Sequence, residues 1–288
     1  MRVNSPFANL RRDMTICSTD IKDLYQETQL LYNEKVVILK CNSEWSYVEA
    51  SEQPYLDKNF GWIGYRGWIQ SCDLINCIDS KVREVVITSK WATAFVGNKE
   101  LKIPFGSFFS VASRYEDYTI INLPDHSQAK IYNYEISFFR EKQEELFFQN
   151  HIKKFLGDPY FWGGRSPFNC LENTKRSSVD CSGFISLIYR AKGINLPRNA
   201  HDQYLISKKI SSSELEVGDL IFSAPALFPN KIDHVMLYLG NDKIVESTMS
   251  VGVVREVSCK ERFGDKITSI KDGEVLKNEI ILYFGRIH

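Results

Sequence analysis

Residues 180–193 read DCSGFISLIYRAKG, and this run decides how the chain is understood. Asp180 is a good N-cap, which places Cys181 in a first helical turn. Phe184, Ile185, Leu187, Ile188 and Ala191 then recur on one face at helical spacing, and Gly193 terminates the run. Upstream, Glu141 to Leu156 mixes charged and apolar residues in the manner of another helix, stopped at Gly157-Asp158-Pro159. Downstream the texture is β: DLIFSA (219–224), HVMLYLG (234–240), KIVEST (243–248) and EIILYFGRI (279–287). Helices first and strands afterward, without alternation, predict an α+β domain over 138–288 rather than a doubly wound sheet.

Ahead of it, VVILK (36–40), WSYVEA (45–50) and GWIQ (67–70) are short β-rich runs between polar turns. They predict a small antiparallel barrel over 1–79. The rhythm recurs in VVITSKWATAF, KIPFGSFFSVAS, YTIINLP and AKIYNYEI, predicting a second β module over 80–137.

The chain has 288 residues, 43% of them hydrophobic, with 18 Phe, 14 Tyr and 5 Trp, so a folded core is expected and disorder is excluded as the main state. Lys and Arg number 36, as do Asp and Glu. This neutral balance lacks the basic field of a non-specific nucleic-acid binder or a polybasic membrane patch. No apolar stretch approaches the ~20 residues that span a bilayer. Residues 1–13 contain no apolar signal core, and the seven cysteines are scattered without a C-x-x-C pair. The expectation is a cytoplasmic protein with free thiols; export after removal of a leader is the alternative.

Neither H-E-x-x-H, G-x-x-x-x-G-K-[ST] nor G-x-G-x-x-G occurs, so no metal or cofactor is expected. Cys181 stands apart because orphan amides at a helix start favour a thiolate. A buried, inert thiol is the alternative from this segment alone. His234, after Lys231-Ile232-Asp233 and opening an apolar strand, is the candidate base; a surface or capping histidine is its alternative. Glu246 lies across the turn Gly240-Asn241-Asp242 and can reach the second ring nitrogen of His234, unless it faces solvent.

From Phe155 onward the chain resembles the NlpC/P60 cysteine peptidases. The matching pieces are FLGDPYFWGG (155–164), DCSGF (180–184), LPRNAHDQ (196–203), LEVGDLIF (215–222), DHVMLYLG (233–240) and FGRI (284–287). The upstream modules resemble bacterial SH3-type domains, and the arrangement is similar to γ-D-glutamyl-L-diamino acid endopeptidases. The resemblance implies a papain-like fold and hydrolysis of peptidoglycan stem peptides bearing a free N-terminal L-Ala. It implies Cys181 as nucleophile, His234 as base, Glu246 where histidine is common, and Tyr160 as oxyanion donor. It also implies substrate contacts from Tyr65, Asp180, Ser182, Glu34 and Asn199, the last where relatives usually carry Asp. The insertion over 170–178 is expected to be a solvated loop. An amidase or transpeptidase on the same scaffold, and a non-catalytic wall-binding protein, are the alternative functions.

Overall fold

The computed structural model describes residues 1–16, 23–77, 82–139, 146–169, 177–277 and 279–287. Its first module contains a five-stranded sheet of β1 (Phe7–Arg11), β2 (Gln26–Leu31), β3 (Val36–Cys41), β4 (Trp45–Asp57) and β5 (Gly61–Gln70), in the order β2-β1-β5-β4-β3, and a short pairing of residues 2–3 with 74–75. Alternate residues such as Ala8, Leu10, Val48 and Ala50 turn inward to its core. The runs WSYVEA and GWIQ prove to be the ends of longer strands. β4 and β5 continue pairing beyond an irregularity between Ala50 and Pro54.

The second module contains β6 (Trp91–Val96), β7 (Lys99–Pro104), β8 (Val111–Arg114), β9 (Tyr118–Asn122) and β10 (Gln128–Tyr132), ordered β7-β6-β10-β9-β8. A short three-stranded sheet of 108–109, 85–87 and 136–138 lies beside it. Small antiparallel sheets therefore make up the N-terminal part, as SH3-like modules require.

The remainder is α+β. The helix expected over 141–156 is observed only as α1 (Phe147–Ile152), with residues 140–145 outside the described ones. Turns follow, and Gly157 at φ 84° ends them. Next come α2 (Cys181–Ala191), α3 (Ala200–Ile206), β11 (Leu220–Pro225), β12 (His234–Gly240), β13 (Lys243–Thr248), β14 (Val253–Ser258), α4 (Cys259–Phe263) and β15 (Ile280–Arg286). The strands form an antiparallel sheet, β15-β11-β12-β13-β14, with 208–209 at its edge.

Period-two alternation gives this sheet two buried faces. Leu220, Phe222, Val235, Leu237 and Val245 meet α2, whose residues from Ser182 onward are all buried. Ile221, Met236, Tyr238 and Ile244 form a second core with Cys259 and Phe263 of α4. Both helices are thus fixed to the sheet by apolar burial, each large side chain contributing about 1.5–3 kcal/mol.

Buried arginines join the first module to this domain. Arg165 Nη1 meets Glu34 Oε2 at 2.9 Å, Arg190 Nη2 meets Glu52 Oε2 at 2.7 Å, and Arg198 Nε donates to Thr28 Oγ1 at 2.6 Å. Leu31 and Phe105 enter the domain's own core, so the upstream modules pack directly on it. The loop expectation for the 170–178 insertion falls outside the described residues up to 176. Ser177 and Ser178 at its end are buried, and Ser177 Oγ donates to Pro167 O at 2.7 Å.

Candidate active site

Asp180 caps α2 in extended conformation, its Oδ1 accepting from Gly183 N at 2.7 Å. Its Oδ2 accepts from Gly163 N at 3.0 Å, which draws the segment 160–164 onto the helix start. The approach is so close that a Cβ on Gly183 would stand 2.1 Å from Gly164 O. Glycine is therefore obligatory after Cys181-Ser182. Cys181 becomes the first helical residue, half-buried, with the helix N-terminus behind its thiol.

Tyr160 lines the same cleft as Cys181. Burial first, then the negative neighbours Asp180 and Cys181, push its hydroxyl far above the usual tyrosine range. It stays a neutral donor at any physiological pH.

His234 begins β12, opposite Ser223 of β11. Its Nε2 donates to Glu246 Oε2 at 2.9 Å, and the Cys181 thiol interacts with the same imidazole. Burial opposes the imidazolium, but the hydrogen bonds and charges of Cys181 and Glu246 outweigh it, raising the His234 pKa to about 9. Glu246 is fully buried. Burial alone would raise its pKa, yet His234, Arg262 and Arg255 hold it down at about 2.

Sheet parity explains this cluster. His234, Glu246 and Arg255 lie on three neighbouring strands and share the face that α4 covers, with Glu246 and Arg255 in direct register. Arg255 donates to Glu246 Oε1 from Nε at 3.0 Å and from Nη2 at 2.7 Å. Arg262 of α4 adds its Nε, 3.2 Å from Oε1 and 3.3 Å from Oε2. Neither arginine is predicted by the sequence reading, because only the sheet register and the α4 packing bring them to Glu246.

The cleft encloses about 640 Å³ and extends from Cys181 and His234 to the first module. There Tyr65 Oη donates to Glu27 Oε2 at 2.8 Å, and both side chains line the cleft. Burial and the Glu27 carboxylate raise the Tyr65 hydroxyl far above its ordinary pKa. Glu34, the expected carboxylate of this end, is absent from the lining. It is fully buried and satisfied by Leu31 N at 2.8 Å, Gln53 Nε2 at 2.8 Å and Arg165 Nη1 at 2.9 Å. Glu27 occupies the place assigned to Glu34, and no motif distinguishes the two in the sequence.

Asp180, Ser182 and Asn199 also line the cleft. Asp180 is more than a cap, because Arg198 binds it through Nη1 at 3.1 Å and Nη2 at 2.6 Å. The same Nη1 donates to Ser182 Oγ at 3.0 Å. Asn199 precedes α3 without capping it, and its Nδ2 donates to Asp202 Oδ2 at 3.4 Å. Among the described residues no three His, Cys, Asp or Glu side chains are grouped to hold a metal ion, and no helix is long and apolar enough to cross a membrane.

Residues 157–271 match the NlpC/P60 family model. These residues form an NlpC/P60 domain. It contains Cys181, His234, Glu246 and Tyr160 together. The chain is similar to the γ-D-glutamyl-L-lysine dipeptidyl-peptidase of Bacillus subtilis (strain 168), 29% identical over 244 residues that cover 83% of this chain and 78% of that one. The enzyme of the same name from Bacillus cereus (strain ATCC 10987 / NRS 248) is 27% identical over 236 residues, covering 77% and 67%. A crystal structure of an NlpC/P60 family protein from Bacillus cereus ATCC 10987 superposes with a TM-score of 0.80, covering 99% of this chain and 98% of that one. At 22% identity this likeness speaks for the fold, and it includes the upstream modules as well as the NlpC/P60 domain.

Proposed function

We propose that this protein is a cysteine peptidase that hydrolyses the amide between γ-D-Glu and a diamino acid in peptidoglycan stem peptides, acting on small peptides with a free N-terminal L-Ala. The observation that carries the reading is the Cys181–His234–Glu246 constellation at one point of a cleft whose far end is built by Glu27 and Tyr65. The similarity to γ-D-glutamyl-L-lysine dipeptidyl-peptidases along most of the chain supports the bond chosen.

In this mechanism the Cys181 thiolate, paired with the His234 imidazolium, attacks the carbonyl carbon of the γ-glutamyl amide. The oxygen takes up the electron pair and is held by Tyr160 Oη and the Cys181 amide. His234 gives its proton to the leaving nitrogen as the C–N bond breaks, leaving a thioester on Cys181. Water, deprotonated by the now neutral His234, attacks the thioester, and the thiolate–imidazolium pair returns. Glu246 holds the ring in orientation throughout.

At the far end, Tyr65 fixes one oxygen of Glu27, and the other has no protein partner among the described residues. That oxygen receives the L-Ala ammonium, with Asp180 and Ser182 contributing from the α2 side. A cleft ended by the first module suits released peptides rather than cross-linked wall, which fits turnover of stem peptides inside the cell. The test is mass spectrometry of products from L-Ala-γ-D-Glu-L-Lys. Release of L-Ala-γ-D-Glu and lysine is expected; no cleavage, or cleavage elsewhere, overturns the reading.

A further inference from the structure

The general acid locates the leaving group. His234 must deliver its proton to the departing nitrogen, so the leaving residue lies on the His234 side of the cleft, away from Glu27 and Tyr65. Among the cleft-lining residues, Lys231 and Asp233 adjoin His234 in the chain, and Arg262 contacts Glu246, the partner of His234. Arg262 binds Glu246 through Nε alone, and its Nη1 and Nη2 make no hydrogen bond with any described residue. Its side chain keeps 22% exposure while lining the cleft. A guanidinium fixed at one nitrogen, with its remaining donors open, is a preorganised fork for a planar anion.

The surrounding charge favours the same ligand. Around Glu246, one carboxylate faces two guanidiniums and the imidazolium, so positive charge is in surplus even beside a Cys181 thiolate. At the rim, exposed Lys231 and exposed Asp233 oppose each other and add little net field. Arg262 is thus the cation that stands inside the cleft on this side.

We propose, building on the peptidase reading above, that Arg262 seats a carboxylate carried by the leaving diamino acid. The enzyme then selects stem peptides whose leaving residue bears a free carboxylate. Two sources share this chemistry, the residue's main-chain carboxylate and the side-chain carboxylate of a diaminopimelate. In either case Arg262 is a specificity residue that also touches the orienting carboxylate Glu246.

The experiment compares kcat/KM for L-Ala-γ-D-Glu-L-Lys and its C-terminal carboxamide, and for the meso-diaminopimelate tripeptide with either carboxylate amidated. The intact protein should prefer a carboxylate-bearing substrate by at least about 10-fold, mostly through KM. Preference within the lysine pair assigns the main-chain carboxylate, and preference confined to the side-chain amidation assigns the other. In Arg262→Gln the preference should fall to within about 2-fold of unity, and Arg262→Lys should keep part of it. A ratio cancels any general damage through Glu246. Binding of the same peptides to Cys181→Ala and to Cys181→Ala/Arg262→Gln, measured by calorimetry, decides the matter if Arg262→Gln is inactive. Equal rates on acid and amide, or a preference unchanged in Arg262→Gln, overturn the assignment while leaving the peptidase reading intact. Absence of cleavage of every peptide would instead defeat the peptidase reading.

Discussion

Arg255 stands directly opposite Glu246 in the β13–β14 register and takes the carboxylate oxygen that His234 does not use, at 2.7 Å. The carboxylate is divided: Oε2 orients the imidazole, while Oε1 is held by arginine. Being clamped on both sides, Glu246 can be fully buried and still ionised, which an isolated buried carboxylate could not be.

The pH dependence follows from this pair. His234 keeps its proton up to about pH 9, so kcat/KM should fall on the alkaline side near there. Glu246→Gln removes the negative neighbour, disfavours the imidazolium and should move that limb to lower pH, with kcat reduced about 10–100-fold. Full activity of Glu246→Ala across the profile would mean that another group orients His234.

Stability should respond in the same sense. The raised His234 pKa contributes stability that is complete below 6.5 and lost as pH rises through about 9. The lowered Glu246 pKa contributes stability present above 4.5 and lost as pH falls toward about 2. The contribution of the pair to Tm should therefore be greatest between these windows, and Glu246→Gln should flatten both edges in calorimetric scans.

Cys181→Ala should abolish hydrolysis with the fold retained by circular dichroism. Iodoacetamide should label Cys181 faster than buried Cys259, whose thiol burial and Asp242 push up to about 12. Turnover by a folded Cys181→Ala protein would remove the thiol from the mechanism.

Glu27 and Tyr65 should govern N-terminal selection. L-Ala-γ-D-Glu-L-Lys with a free amine should be cleaved at least about 10-fold faster than its N-acetyl form, because acetylation removes the charge and adds bulk. Glu27→Gln and Tyr65→Phe should shrink that ratio, whereas equal rates on both peptides in the unaltered enzyme would exclude an amine-reading site.

Glu34 should behave differently. Glu34→Ala strands the buried Arg165 guanidinium and should cost about 3–5 kcal/mol in urea unfolding. The free-to-acetylated ratio of whatever activity remains should be unchanged. A selective loss of that ratio at full stability would return Glu34 to the substrate site.

Much of the site was legible because its residues carry local signals. The cap Asp180, the thiol behind it and the glycine two places on fix a helix start within a few residues. His234 and Glu246 sit at recognisable strand positions across a short turn, and sheet parity puts both on one face. Glu27 against Glu34 was not legible, since both are glutamates in one small β module and neither motif nor periodicity separates them. Their fates diverge only when Arg165, far along the chain, docks beside Glu34 and Tyr65 folds over Glu27.

The sequence by itself determined the α+β order of the last domain, the β character of the first two modules and the position of Cys181 at a capped helix start. These follow from capping, periodicity and turn residues, which act over a handful of bonds. Tertiary structure alone decided which carboxylate faces the cleft, which arginines grip Glu246 and that Arg262 of α4 reaches the cleft lining. Such pairings join residues distant in the chain, and burial makes them consequential: with little water to screen them, each charge must find its partner in whatever the fold brings near.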